Sequence, residues 1–167
     1  MNAFVGYDNI VPILAPVDQT STDVNTAYVD LKGANRAAIL LVFGNVHSGT
    51  PGDTMTITVE AATDPAGTEA AIAFKYRASG GIGDNTWGAI TSALAAGFTV
   101  AITDDSKLYW LEVDPDALAA NDYRYIRVSI DPTVSGQMAN CVVGAMALLD
   151  TKYKMTTYVS ATASASA

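Results

Sequence analysis

Thr54-Met55-Thr56-Ile57-Thr58-Val59-Glu60 alternates without a break, with threonines and a glutamate on one side and methionine, isoleucine and valine on the other. Side chains of an extended chain point to opposite faces in turn, so this stretch reads as a strand with one buried and one wet side. Its surroundings carry the same signature. Downstream, Asp64-Pro65-Ala66-Gly67-Thr68 is a turn, and Ala71–Ala78 alternates again, Ile72, Phe74 and Tyr76 lying opposite Lys75 and Arg77. Upstream, His47-Ser48-Gly49-Thr50-Pro51-Gly52-Asp53 is a turn cluster. Before it, Ala37–Phe43 is a continuous apolar run, suited to a strand buried on both faces or to a sandwich core.

Further strands are expected at Thr86–Thr91, Phe98–Thr103, Leu108–Asp114, Tyr123–Asp131 and Met138–Asp150. Asp114–Asn121 fits one helical turn, with Asp114 as its cap and Pro115 at its first position. Ser92-Ala93-Leu94-Ala95-Ala96 is too short for a helix and is ended by Gly97. Ile10–Val17 is apolar but carries Pro12 and Pro16, which demote it to an edge strand or an extended arm. The expectation is an all-β, single-domain antiparallel β-sandwich or jelly-roll-like fold of about eight strands, with an extended N-terminal arm. Residues 1–30 form the arm and first edge strand, 31–154 the sandwich body, and 155–167 a low-complexity Ala/Ser/Thr tail. No repeat of twenty to fifty residues occurs, which argues against a solenoid or propeller.

Composition agrees with a single packed domain. The 167 residues are 50% hydrophobic and 16% charged, enough apolar material for a sizeable core. Nine basic residues stand against seventeen acidic ones, spread evenly over both halves of the chain. No basic patch is present to dock on a phosphate backbone, so no nucleic-acid partner is expected. No apolar run reaches the length of a membrane span, and no membrane partner is expected. The opening residues lack the basic and apolar segments of a signal peptide, so synthesis and folding in a cytoplasm are expected.

The residues available for chemistry are few. Cys141 is the single cysteine and His47 the single histidine, which excludes an intramolecular disulfide and any zinc site built on paired cysteines or histidines. Cys141 reads as a small apolar residue on the inner face of a strand, and His47 as a solvated turn residue. Asp104-Asp105 and Asp114-Pro115-Asp116 with Glu112 are oxygen donors for calcium, but they do not follow calcium-loop spacing. Glu60 and Glu112 are the strand glutamates that a sandwich glycosidase would need. Gly80-Gly81-Ile82-Gly83 resembles a phosphate loop only in composition. Trp87, Trp110, Tyr109, Tyr123 and Tyr125 either line a sugar-binding face or fill the core and its cross-strand pairs. None of these defines an active site; the expectation is no enzyme, no cofactor and no metal. Ile10–Val17 is instead suited to adding to a neighbour's sheet edge.

Several segments carry a resemblance: Asn9–Val17 with Thr20-Ser21-Thr22, Ala27–Lys32, Ile57–Thr68, Tyr109–Asp114, Tyr125–Ser129 and Gly144–Tyr153. Together they resemble small all-β proteins of tailed bacteriophages and prophages, encoded among the head and structural genes. The resemblance spans most of the chain as a style of sequence, and Ser160–Ala167 departs from it. It implies a virion structural protein, foremost a capsid decoration (cement) protein. Such proteins lie on the outer shell, often as trimers over capsomer junctions, and brace it against DNA pressure. The implied partners are the major capsid protein and two further copies of the chain, and the implied location is the capsid surface. No catalytic residues are carried over. The expected contact residues are Phe4, Tyr7, Ile10, Val11, Pro12, Ile13, Leu14 and Pro16. Two alternatives stand beside this one: a tail or head-tail connector component, and a carbohydrate-binding module using the Trp/Tyr set.

Overall fold

In the computed structural model, residues 10–19, 23–44, 54–101, 104, 106–114, 118–132 and 141–151 are described. They form two antiparallel sheets packed as a sandwich. The strands are β1 (Ile10–Gln19), β2 (Val24–Asn25), β3 (Val29–Asp30), β4 (Ala34–Phe43), β5 (Thr54–Ala62), β6 (Ala70–Ile72), β7 (Phe74–Ala78), β8 (Thr91–Ala93), β9 (Phe98–Ala101), β10 (Leu108–Val113), β11 (Tyr125–Pro132) and β12 (Cys141–Thr151). The first sheet has the order β1-β12-β4-β10-β7-β8. The second is β2-β11-β5-β6, with β3 also on β11 and β9 also on β5. Among the described residues twelve strands replace the expected eight or so, because Ala71–Ala78 divides in two and the two-residue strands β2 and β3 arise where no strand was expected.

The clearest break is in Ala71–Ala78. Its alternation is real, yet β6 pairs with β5 in the second sheet while β7 pairs with β10 in the first. The chain changes sheets at Ala73, and alternation of side chains carries no signal of which sheet a residue joins. Thr86–Thr91 is not a strand: Trp87 makes an isolated bridge to Ser79, and β8 begins only at Thr91. The helical turn survives as a short piece at Leu118–Ala119, where the Leu118 N–H donates to the Asp114 carbonyl at 3.4 Å.

The inner faces make one core. Ile39, Leu41 and Leu111 from the first sheet meet Met55, Ile57, Val59, Ile126 and Ile130 from the second, all at 1% exposure or less. Rings from both sheets interlock at one end. Phe98 of β9 stacks on Tyr76 of β7 at 4.0 Å, and Tyr109 packs edge-on against Phe43 at 5.6 Å. Cys141 is fully buried on the inner face of β12, its Sγ 3.8 Å from the Met55 Sδ. Gly97 is required in the turn before β9. Its φ is +78°, and a Cβ there would lie 2.1 Å from the Ile57 carbonyl oxygen.

Ile10–Gln19 is an edge strand rather than a free arm. It pairs with β12 from Ile10↔Leu148 to Gln19↔Cys141, with register shifts between Pro12 and Leu14 and between Leu14 and Val17. The carbonyl of Ile13 accepts the Ala27 N–H at 2.8 Å, tying this edge to the connection between β2 and β3. Thr26 is buried there and bridges the gap in the second sheet. Its N–H donates to the Val128 carbonyl, and its hydroxyl accepts the Val128 N–H at 3.0 Å. Both prolines sit where an edge tolerates a missing donor.

Candidate docking surface

The two outward faces of the sandwich differ in chemistry. On the second sheet, Thr54, Thr56, Thr58 and Glu60 of β5 stand beside Asp131, Ser129 and Arg127 of β11. Arg127 donates to Glu60 at 2.7 Å and also to Glu69, and its guanidinium lies 5.0 Å from the Tyr28 ring. Arg124 bonds Asp30 at 2.7 Å. Burial alone would raise the Asp30 carboxyl, but Arg124 and the Lys32 N–H outweigh it and hold it below the usual carboxylate range. At Asp131, burial and then the neighbouring Asp23 carboxylate push the carboxyl up. This face is a solvated ladder of hydroxyls and ion pairs.

The first sheet presents the opposite. Cross-strand partners share a face, so the register lays out rows across it. One row runs Pro12–Met146–Leu40–Trp110–Arg77, and the next Ile10–Leu148–Ala38–Glu112–Lys75. Val42 stands beside Leu108 and Gly144, and Pro16 lies 3.6 Å from where a Gly144 side chain would begin. Ile10, Val42 and Val142 are 51%, 37% and 42% exposed. The result is a largely apolar sheet face about four strands wide, from β1 to β10, with charged residues at its margins: Lys75 and Arg77 on β7, Glu112 at one end and Asp18 beside Val142 at the other. A depression of about 440 Å³ on it is lined by Arg36, Ala38, Trp110, Glu112, Leu148 and Asp150 among others. Isolated exposed hydrophobic residues are ordinary, whereas a contiguous apolar face marks an interaction surface.

The expected contact residues divide accordingly. Ile10, Pro12 and Pro16 are exposed, and the first two join the apolar rows. Ile13 is 5% exposed and belongs to the core, on the inward side of the alternation that leaves Ile10 and Pro12 outward. Val11 and Leu14 are half-buried, packed against that core. Phe4 and Tyr7 lie outside the described residues, as do His47, Asp105, Pro115, Asp116 and the tail 155–167. The larger part of the surface (Leu40, Val42, Met146, Leu148) was not singled out by sequence. Its signal was the uninterrupted apolar run, which fits a doubly buried strand equally well.

The other candidate sites come apart. Glu60 and Glu112 project from opposite outer faces and cannot flank one glycosidic bond; Glu112 is held by Arg36 as Glu60 is by Arg127. Asp104 bonds Lys107 at 2.5 Å and accepts the Ala101 N–H at 3.0 Å. Against the effect of burial, these partners hold its carboxyl below the usual range. Tyr109 is a core residue whose hydroxyl is pushed up by burial and by Asp104. Among the described residues, no cluster of three or more His, Cys, Asp or Glu is placed to hold a metal ion. Gly80–Gly83 closes on itself: the Gly80 N–H donates to the Thr86 carbonyl, and the Thr86 N–H to Asp84. Of the five aromatic residues, only Trp87 and Trp110 come together, edge to face at 6.4 Å beside Arg77. Tyr125 belongs to the second sheet and Tyr123 packs on the core.

Compared with known proteins, the chain matches no family model and has no significant match among curated proteins.

Proposed function

We propose that this chain is a structural protein of a tailed-phage virion, a capsid decoration protein that docks on the shell through the outer face of its first sheet. One observation carries the reading: the outer faces are unlike, one a hydroxyl and ion-pair ladder made for water, the other apolar from β1 to β10. A sandwich that displays such a face gains by burying it, at about 25 cal/mol per Å² of apolar surface removed from water. The resemblance to phage head proteins supplies the partner, the major capsid protein. Self-association as a homotrimer belongs to the same proposal, since shell symmetry favours rotational closure.

The test is the number of copies per major capsid subunit in purified particles, measured by quantitative mass spectrometry. A one-to-one ratio or a simple fraction of it is expected. A few copies per hundred would move the protein to the tail or connector, and absence from particles would overturn the virion assignment. The Trp87–Trp110 pair favours one second reading, carbohydrate binding. A change in tryptophan fluorescence on titration with polysaccharide, lost in Trp110→Ala, would support it.

A further inference from the structure

Basic residues are scarce in this acidic chain, and most of those described are already neutralised. Arg36, Lys107, Arg124 and Arg127 are each ion-paired, with Glu112, Asp104, Asp30 and the Glu60/Glu69 pair respectively. Lys32, in the turn after β3, makes no ion pair, and neither do Lys75 and Arg77: among the described residues no carboxylate pairs with either. They stand two apart on β7, so both project from the apolar outer face of the first sheet. Glu112 is the direct cross-strand neighbour of Lys75, yet its carboxylate is held by Arg36. The cleft of about 240 Å³ at this corner is therefore lined by three cations and a single carboxylate that is already bound.

Arg77 is also held in place. Its guanidinium carbon lies 4.7 Å from the Trp87 ring centre and 5.8 Å from that of Trp110, in the angle of two indoles set 84° apart. Aromatic rings beside a guanidinium attract its charge without saturating its five N–H donors, which leaves donors to bind a carboxylate. A side chain fixed in this way loses little freedom on binding. Ile90, 67% exposed, lines the same cleft.

We propose that Arg77 and Lys75 form a carboxylate-accepting corner of the docking face, and that the partner is a protein surface presenting an acidic side chain beside an apolar patch. This rests on the docking reading above. A protein is favoured over an acidic polysaccharide because the adjoining rows of Leu40, Ala38, Met146 and Leu148 are broad and apolar. Such a surface matches the core of a protein interface with a charged margin, not a hydroxyl-rich chain. Arg77 also covers a face of Trp87 that a sugar ring would need.

The experiment measures rebinding of the full chain to particles stripped of it, across a range of salt concentrations. It compares wild type, Arg77→Glu, Arg77→Lys and Lys32→Glu, the last making the same charge change in the turn after β3. Arg77→Glu should weaken rebinding at least tenfold and flatten its salt dependence. Arg77→Lys should fall between, since an ammonium keeps the charge but cannot make a two-pronged contact with a carboxylate. Lys32→Glu should rebind like wild type. Wild-type rebinding with an unchanged Arg77→Glu variant overturns the corner while leaving the docking face intact. Failure of the wild type to rebind overturns both. Binding to polygalacturonate that depends on Arg77, with particle binding that does not, overturns the protein partner in favour of an acidic sugar.

Discussion

Leu40 and Leu41 are neighbours in β4 with opposite fates, and truncating each to alanine separates the two faces of the first sheet. Leu41 is 0% exposed and lies between the sheets. Its loss removes buried methyl groups and leaves a cavity that the surrounding strands fill only in part. Such changes cost about 3 kcal/mol, within the range of about 2–5. For a domain of this size that lowers Tm by roughly 6–12 °C, at about 2–4 °C per kcal/mol. Leu40 is half-buried on the outer face between Trp110 and Met146. Truncation there opens to solvent and encloses no cavity, so only part of the transfer free energy is lost, about 1 kcal/mol or roughly 2–4 °C. Calorimetry and urea unfolding on both variants measure the difference. Particle rebinding of Leu40→Asp then reads out docking, which should be lost while the domain stays folded. Equal costs at Leu40 and Leu41 would refute the reasoning, since they would mean that the outer face is covered within the folded chain itself.

Other consequences follow from single residues. Gly97→Ala places a Cβ against the Ile57 carbonyl at a positive φ; a loss of about 3 kcal/mol or more is expected by urea unfolding. Deleting residues 1–17 removes most of β1, uncovers the edge of β12 and takes Ile13 out of the core, so circular dichroism should show a marked fall in Tm rather than an intact body without its arm. Asp30 and Asp104 have folded-state values below their unfolded ones. Their contribution to stability is therefore complete above about pH 4 and is lost as pH falls through the lower folded values. Arg124→Ala and Lys107→Ala should flatten that acid limb in Tm measured against pH. Asp131 has the opposite sign, its folded value being raised, so its charge opposes folding at neutral pH. Asp131→Asn should raise Tm by about 1 °C at pH 7, a gain that disappears near pH 3.

The alternation of Thr54–Glu60 was enough to assign its strand, the polar outer face of the second sheet and the inward set Met55, Ile57 and Val59, because the period of two is a property of the backbone alone. The inward position of Cys141 and the edge position of Ile10–Val17 were legible for similarly local reasons, a small apolar residue in an apolar run and two prolines without N–H donors. What alternation cannot carry is partnership. It is silent on the change of sheet at Ala73 and on the two-residue strands β2 and β3, whose pairing depends on β11. The same limit hid the docking face. Ala37–Phe43 is apolar at every position, and only the pairing of β4 between β12 and β10 decides that Ile39 and Leu41 meet the second sheet while Leu40 and Val42 look outward. Lys75, Arg77, Trp87 and Trp110 are scattered over 36 residues of sequence. They become one corner because β7 lies beside β10 and the Trp87 bridge folds back on Ser79, contacts that belong to the tertiary structure and to no segment by itself.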